Sequence, residues 1–250
     1  MALFAIERQS FMRMRRKKNS ESRLRLCERF IYSHEGEALS RPSSVFGKDG
    51  GEVYLEIGAG KGGFACEMAR CNKEASYFAM ERVTDCVVIG AERAASGEYG
   101  ELSNLKFLIR NADDLLTIFA PGSIDRIFLN FSDPWPKKGY AKRRLTHRRY
   151  LALYMNLLCE GGLLRFKTDN VGLFDFSLSE IEAMGLKCDI VTRDLHASPY
   201  NEGNVMTEYE KNFTDMGMKI NMLEVRRPSG FSPEIPLEFT DRGRISLYKK

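Results

Sequence analysis

From residue 52 onward the chain alternates between short apolar runs and stretches of helical periodicity, and this alternation leaves few folds open. Val53–Ile57, Tyr77–Met80, Leu105–Ile109, Ile124–Leu129 and Leu163–Lys167 read as strands. Between them, Phe64 to about Cys71, Asp85 to about Ala95 and His147–Leu158 read as helices. In the last of these Leu151, Tyr154 and Leu158 share one face, and Gly161-Gly162 is expected to stop it. A helix over about 172–184, a strand over 187–193, a polar loop over 194–205, a short helix over 207–215 and a strand over 218–225 complete the pattern. The implied architecture is α/β, a mostly parallel seven-stranded sheet with helices on both faces. In such sheets ligands bind beyond the carboxyl ends of the strands, where Glu56, Glu81, Asn111, Asp133 and Asp169 all fall.

The first strand runs into Gly58-Ala59-Gly60-Lys61-Gly62-Gly63, which contains a G-x-G-x-x-G. Gly58 and Gly60 allow a tight strand-to-helix turn and a close approach of ligand to backbone. Glu81, at the end of the second strand, can accept hydrogen bonds from both hydroxyls of a ribose. These features suit NAD or S-adenosylmethionine alike. Glu56 separates the two: a pyrophosphate gains nothing from a nearby anion, whereas an ammonium and a sulfonium are stabilised by one. Asn111 can read an adenine edge, since an amide offers a donor and an acceptor together. The plainer alternatives are a strand-end Glu56 paired with Lys61 and a surface Glu81.

The fourth strand leads into Asn130-Phe131-Ser132-Asp133-Pro134-Trp135-Pro136-Lys137-Lys138, a carboxylate in a proline-stiffened aromatic loop followed by cations. Between Lys137 and Arg149 lie seven cations and no acid, and between Arg8 and Arg29 lie nine cations against Glu21 and Glu28. The net charge is only +4, so the clustering carries the signal: two such patches favour a nucleic-acid backbone over a solvated basic face. Trp135, the sole Trp and flanked by prolines, is expected to pack rather than stack on a base. Six cysteines without a C-x-x-C pair and three scattered histidines argue for reduced thiols in a cytoplasmic protein, against a disulfide framework and against a metal site. No run of 18 apolar residues predicts a transmembrane helix, and the charged start does not read as a secretory signal.

With Glu56, the glycine turn, Glu81 and Asp133-Pro134-Trp135 in place, the chain resembles the class I methyltransferases, whose fold is Rossmann-like. More narrowly it is similar to the bacterial tRNA (guanine-N7-)-methyltransferases, from about Met12 to Arg227. The segments that carry the likeness are Tyr54–Gly58, Leu129–Lys138, Lys142–Thr146, Phe166–Asn170 and Thr207–Glu210. The resemblance implies transfer of a methyl group from S-adenosyl-L-methionine, with no metal, to N7 of a guanosine in the tRNA variable loop (position 46 of the tRNA). It also implies that Glu56, Glu81, Asn111 and Asp133 contact the cofactor beside Gly58 and Gly60, with Asp133 also catalytic. Lys137, Asp169, Thr207, Glu208, Tyr209 and Glu210 are implied to contact substrate, and Gly139, Tyr140, Ala141, Lys142, Arg143 and Arg144 to touch RNA. Asn111 stands where the family more often has Asp.

Guanine N7 carries a lone pair and no proton, so methylation there needs no general base, and a fixed carboxylate such as Asp133 can stabilise the charge that develops. Asp169 and Glu210 are acceptors suited to the guanine edge, and Thr207 adds a hydroxyl. Thr207 with Glu210 is also a capping-box pattern, and Tyr209 is expected in the core. Lys137, Lys142, Arg143 and Arg144 are expected on phosphates, with the 8–29 arm adding more. Competing readings are a methyltransferase acting on an amide or exocyclic amine, a non-catalytic RNA-binding module of the same fold, and, most weakly, a nicotinamide oxidoreductase. The expected organisation is a basic arm and loop-like lead-in over 1–50, the methyltransferase domain over 51–227 and an irregular tail over 228–250. No membrane partner or obligatory protein partner is implied, so the chain is expected as a monomer or homodimer.

Overall fold

Every residue of β1 (Val53–Ile57) is buried, which requires cover on both faces of the sheet it belongs to. The computed structural model, which describes residues 19–240, supplies that cover. Around β1 lie β2 (Ser76–Glu81), β3 (Leu105–Ile109), β4 (Ile124–Asn130), β5 (Leu158–Thr168), β6 (Cys188–Thr192) and β7 (Asn221–Arg226), in the order β3-β2-β1-β4-β5-β7-β6. The first five run parallel, and β7 pairs antiparallel with both β5 and β6. This is the mostly parallel seven-stranded sheet that the alternation implies, with one antiparallel hairpin at its edge.

Alternate residues of each strand serve opposite layers. Val53, Leu55, Ile57, Phe78, Ile127 and Leu129 pack under α4 (Leu115–Ile118), α5 (Arg148–Leu157) and α6 (Val171–Ala183). Tyr54, Tyr77, Ala79, Phe107 and Phe128 pack under α2 (Gly63–Cys71) and α3 (Thr84–Ala95). Neither face is left for ligand, so the polar residues collect at the carboxyl ends of the strands. Among the described residues no helix is long and apolar enough to cross a membrane.

Two expectations for the chain's path need correction. Gly161-Gly162 does not stop α5: the helix ends at Leu157, Leu158 turns extended, and β5 begins there at once. The glycines sit inside β5, near the place where its register with β4 shifts; Gly161 has φ +74°, and a Cβ on Gly162 would meet the Cys159 carbonyl at 2.9 Å. The lead-in is not all loop. Helix α1 (Ser20–Leu26) lies on α3, with Ser20 Oγ donating to Asp85 at 2.6 Å and Arg23 bonded twice to Glu92 at 2.6 Å. Phe30 is buried beyond it, and Ile31 bridges to Phe107. Arg23 is therefore engaged within the protein, while Arg8, Arg13, Arg15, Arg16, Lys17 and Lys18 lie outside the described residues. A last helix, α7 (Glu208–Asp215), stands over the carboxyl end of the sheet.

The glycine turn is locked against α3 by close contact. A Cβ on Gly62, which has φ +72°, would lie 2.8 Å from the Phe107 ring, and one on Gly90 of α3 would meet the same ring at 2.8 Å. Replacing a helical glycine by alanine ordinarily stabilises by about 0.5–1 kcal/mol. At Gly90 the sign reverses: Gly90→Ala is expected to destabilise by roughly 1–3 kcal/mol in urea unfolding, because the buried ring has nowhere to go.

Candidate active site

The turn after β1 folds back on β2. The Gly58 and Ala59 amides donate to the Met80 carbonyl at 2.8 and 3.0 Å. The Glu81 carboxylate accepts from the Gly60 amide at 3.1 Å and from the Val83 amide at 2.8 Å, which joins the glycine turn to the loop after β2. Glu56 is 2% exposed. Its carboxylate accepts from Asn130 Nδ2 at 3.0 Å and from the Tyr77 hydroxyl at 3.4 Å, so the alternative pairing with Lys61 is not made. Burial pushes the Glu56 carboxyl up to about 7, against the opposing pull of Asn130 and the nearby Lys167 ammonium. A recess of about 320 Å³ opens here, bordered by Glu56, Gly58, Gly60, Asn130, Thr207 and Tyr209.

A larger cleft of about 1150 Å³ shares Gly58 and Asn130 with that recess and extends past Glu81, Asn111 and Asp133 to Arg149. Asn111 is exposed in it and caps the turn Ala112–Asp114, its Oδ1 accepting from the Asp113 amide at 3.4 Å. Asp133 is half-buried; burial raises its carboxyl, and Arg82 opposes that shift. The loop carrying Asp133 is held in an unusual path, with Phe131 at φ 51° and Trp135 at φ 40°. Non-glycine residues reach that region only when their surroundings impose it. Arg144 imposes it: Nε donates to the Pro134 carbonyl and Nη2 to the Trp135 carbonyl, both at 3.0 Å, while the guanidinium lies over the Phe176 ring at 4.3 Å. Arg144 therefore holds the loop through two carbonyls while its side chain stays partly exposed.

Trp135 packs edge-on to Tyr140 at 5.9 Å and under Arg143 at 5.0 Å, and it also borders the cleft. The exposed rim beyond it is the turn Lys138–Arg143, with Lys137, Gly139, Tyr140, Lys142 and Arg143 open to solvent and Ala141 partly so.

The Thr207–Glu210 group divides. Thr207 Oγ1 accepts from the Glu210 amide at 2.8 Å and the Glu210 side chain returns to the Thr207 amide, the expected capping box. Glu208 pairs with Arg93 of α3. Glu210 is fully enclosed and faces Lys167 at 2.6 Å, with Asn204 Nδ2 at 2.8 Å and His196 Nε2 at 3.2 Å. It is a structural anchor for α7, and its carboxylate is not presented to the cleft. Tyr209, expected in the core, is instead 46% exposed. Its ring packs at a tilt against Phe131 at 5.2 Å and Phe213 at 4.4 Å, and its phenol is raised by burial and by the neighbouring Asp169 and Asp133 carboxylates. Asp169 is half-buried at the end of β5, and burial raises its carboxyl.

Two residues of this site were missed in sequence. Asn130 ends β4 and ties the Asp133 loop to Glu56; its Oδ1, like Ser132 Oγ, is buried without a partner. Lys167 is 1% exposed in the middle of the sheet, where burial pulls its ammonium below the ordinary value and Glu210 opposes that. A cation at the end of the apolar run Leu163–Lys167 was the available signal for it.

Residues 51–223 match the model of a methyltransferase family (Methyltransf_4), that of the tRNA guanine-N7 methyltransferases. Among solved structures the chain is similar to the 16S rRNA methyltransferase KamB, with TM-score 0.58 and 13% identity over 79% of this chain and 98% of that one. It is also similar to an antibiotic-related methyltransferase, with TM-score 0.53 and 19% identity over 76% of this chain and 95% of that one. At these identities the likeness is one of fold.

Two outcomes follow from the buried charges. Because the Glu56 carboxyl is raised from 4.5 to about 7, its contribution to stability is complete below pH 4.5 and is lost as pH rises through about 7. Glu56→Gln, neutral throughout, is therefore expected to unfold with a free energy on the order of 2–3 kcal/mol higher than the parent near pH 8, and equal to it at acid pH. Lys167→Met leaves Glu210 buried without its cation and is expected to lose about 3–5 kcal/mol in urea unfolding, a loss that Lys167→Met with Glu210→Leu recovers in part.

Proposed function

The chain belongs to the family of tRNA guanine-N7 methyltransferases, and from that premise we propose that it methylates N7 of a guanosine in the variable loop of tRNA (position 46), with S-adenosylmethionine as donor. The observation that carries this reading is the placement of Asp133: its half-buried carboxylate borders the same cleft as the glycine turn, with an exposed basic rim alongside. The residues present fit the donor. A carboxyl at Glu56 and the unpartnered Oδ1 of Asn130 suit an ammonium, and the open space over Gly58 and Gly60, where a Cβ would touch nothing within 4 Å, leaves room for a ligand against the backbone. Glu81 would hold ribose hydroxyls, and Asn111 the adenine edge. The bound donor supplies an electrophilic methyl group on a sulfonium.

The protein's own part is to place guanine and to stabilise charge. N7 attacks through a lone pair, so no residue need remove a proton. Holding the reacting atoms in line can supply roughly 7–11 kcal/mol of the barrier. Asp133 faces the positive charge that grows on the guanine ring as the bond to N7 forms. Asp169 accepts from the guanine edge, and Tyr209 offers a ring beside it together with Thr207 and Lys137. Glu208 and Glu210 contribute from behind, by seating the first turn of α7. Lys137, Lys142, Arg143 and Arg144, with the backbone of Gly139–Ala141, meet the RNA strand and its phosphates. Residues 51–227 carry the chemistry, with 1–50 and 228–250 as additions at either end. No disulfide joins any of the six cysteines, which fits a cytoplasmic site of action.

Incubation with bulk tRNA and methyl-labelled S-adenosylmethionine, followed by mapping of the modified nucleoside, is expected to give 7-methylguanosine. Label on an adenine or on an exocyclic amine would overturn the reading. Asp133→Asn is expected to lower turnover by about 10²–10³-fold with tRNA affinity retained, since it removes charge and keeps shape. Unchanged turnover would take Asp133 out of the mechanism.

A further inference from the structure

The segment beyond β7 has no part in the chemistry proposed above, yet it is tied to the domain along a defined path. It leaves β7 at the start of β5, where Arg227 Nη1 donates to the Leu158 carbonyl at 2.5 Å. Ser229 Oγ and the Gly230 amide both donate to the Glu160 carboxylate at 3.0 Å. Phe231 and Ile235 then pack against the core of the α5 face. Pro233 and Pro236 limit the backbone freedom of this stretch before it docks. It ends at the opposite end of α5, beside the cleft, where Phe239 is 3% exposed. The segment is thus a strap running from the amino end of β5 to the site end of the sheet.

At its far end the strap meets Arg149, and Arg149 meets the cleft. The guanidinium lies between two rings, 5.0 Å from Phe239 and 4.4 Å from Tyr150. Its Nη1 donates to Glu238 Oε1 at 2.8 Å. Its Nη2 donates to Asp113 Oδ1 at 3.1 Å and to the Tyr150 hydroxyl at 2.8 Å, and that hydroxyl donates to Asp113 Oδ1 at 2.7 Å. Asp113 belongs to the short turn capped by Asn111, and Asn111, Asp113, Arg149 and Tyr150 all border the cleft. Every step from the strap to that turn is a hydrogen bond, an ion pair or a ring contact.

We propose that Glu238 and Phe239 are positioning residues that hold the Asn111–Asp113 turn, through Arg149, in the shape that receives the adenosine end of the cofactor. The inference rests on the S-adenosylmethionine reading of the cleft. Without Phe239 as a lid and Glu238 as a partner, Arg149 loses the two contacts that keep it against Asp113. The turn then loses its outer support while Glu56, Glu81 and the basic rim keep theirs.

The test measures binding of 5′-methylthioadenosine and S-adenosylhomocysteine to the full chain by calorimetry, with tRNA binding alongside. Phe239→Ala is expected to weaken both nucleosides by about three- to thirty-fold, and Glu238→Gln by a factor at the lower end of that range. The ratio between the two nucleosides should stay constant, because the recess at Glu56 that distinguishes them lies elsewhere. Affinity for tRNA should stay constant too, and in the methyl-transfer assay KM for S-adenosylmethionine should rise with kcat unchanged. Phe239→Leu, which keeps apolar cover, should fall between parent and Phe239→Ala. Should Phe239→Ala fail to fold, Glu238→Gln, at a half-exposed position, carries the same test. Variants that bind both nucleosides as the parent does overturn the inference, as does a parallel loss of tRNA affinity. A parent chain that binds neither nucleoside overturns the cofactor reading itself, which distinguishes the two failures.

Discussion

A carboxylate enclosed at the end of β1 sets the terms for the structure around it. Glu56 lies in a sheet whose two faces are both covered, so water cannot solvate it and the neighbouring strands must. In register, Glu56 sits opposite Ala79 of β2 and Phe128 of β4. The donors come from two residues away on each side: Tyr77 on β2 and Asn130 on β4. An acid held this way is costly to leave ionised, and burial accordingly raises its carboxyl to about 7 despite Asn130 and the nearby Lys167. Glu56 thereby places an acid at the level of the backbone, on the border of the recess beside the glycine turn.

The second constraint follows from the first. Once Asn130 turns its amide to Glu56, the chain has to leave β4 sharply, and Phe131 does so in the left-handed region. That exit carries Asp133 to the cleft, and Arg144 fixes the far side of the loop through two carbonyls. The aromatic side chain of Phe131 is carried the other way, onto Tyr209 of α7. Loop and helix thereby share one contact, so the Asp133 carboxylate and the Tyr209 ring are set by a single backbone path. The buried Lys167–Glu210 pair does the same work from beneath, tying α7 to the carboxyl end of β5.

Much of this was legible in the sequence because it depends on period and position. The strand and helix alternation and the placing of Glu56, Glu81, Asn111, Asp133 and Asp169 at strand ends follow from hydrophobic pattern alone. What was not legible depends on which partner a side chain finds. Glu210 is an acceptor of the right kind for guanine, but a buried lysine reaches it first. Tyr209 has the size of a core residue, but α7 is a short helix with one buried residue, and its outer ring faces the recess. Gly161 and Gly162 carry a helix-stop signal, but they serve a strand irregularity, because α5 hands over to β5 without a loop. Helix α1 leaves little apolar signature because it buries no residue: Leu24 alone packs toward the core, while Ser20 and Arg23 make polar pairs with α3.

The same distinction changes the meaning of the basic run. Of the seven cations between Lys137 and Arg149, Arg144 is spent on the loop, Arg148 on Glu180 and Arg149 on Asp113 and Glu238. The other four, Lys137, Lys138, Lys142 and Arg143, make no ion pair among the described residues, and all four stand on the exposed rim. A charge count treats the seven alike, whereas the fold sorts them by partner: Arg144, Arg148 and Arg149 take backbone carbonyls and carboxylates, and the others face solvent. Arginine suits the partnered places because its planar fork can satisfy two acceptors at once while its face lies on a ring, as Arg144 does on Phe176 and Arg149 between Tyr150 and Phe239. A cluster that looks in sequence like one electrostatic patch is, in space, a scaffold of arginines with a smaller patch mounted on it. The field available to a polyanion comes from the mounted part, which stands at the mouth of the cleft holding Asp133.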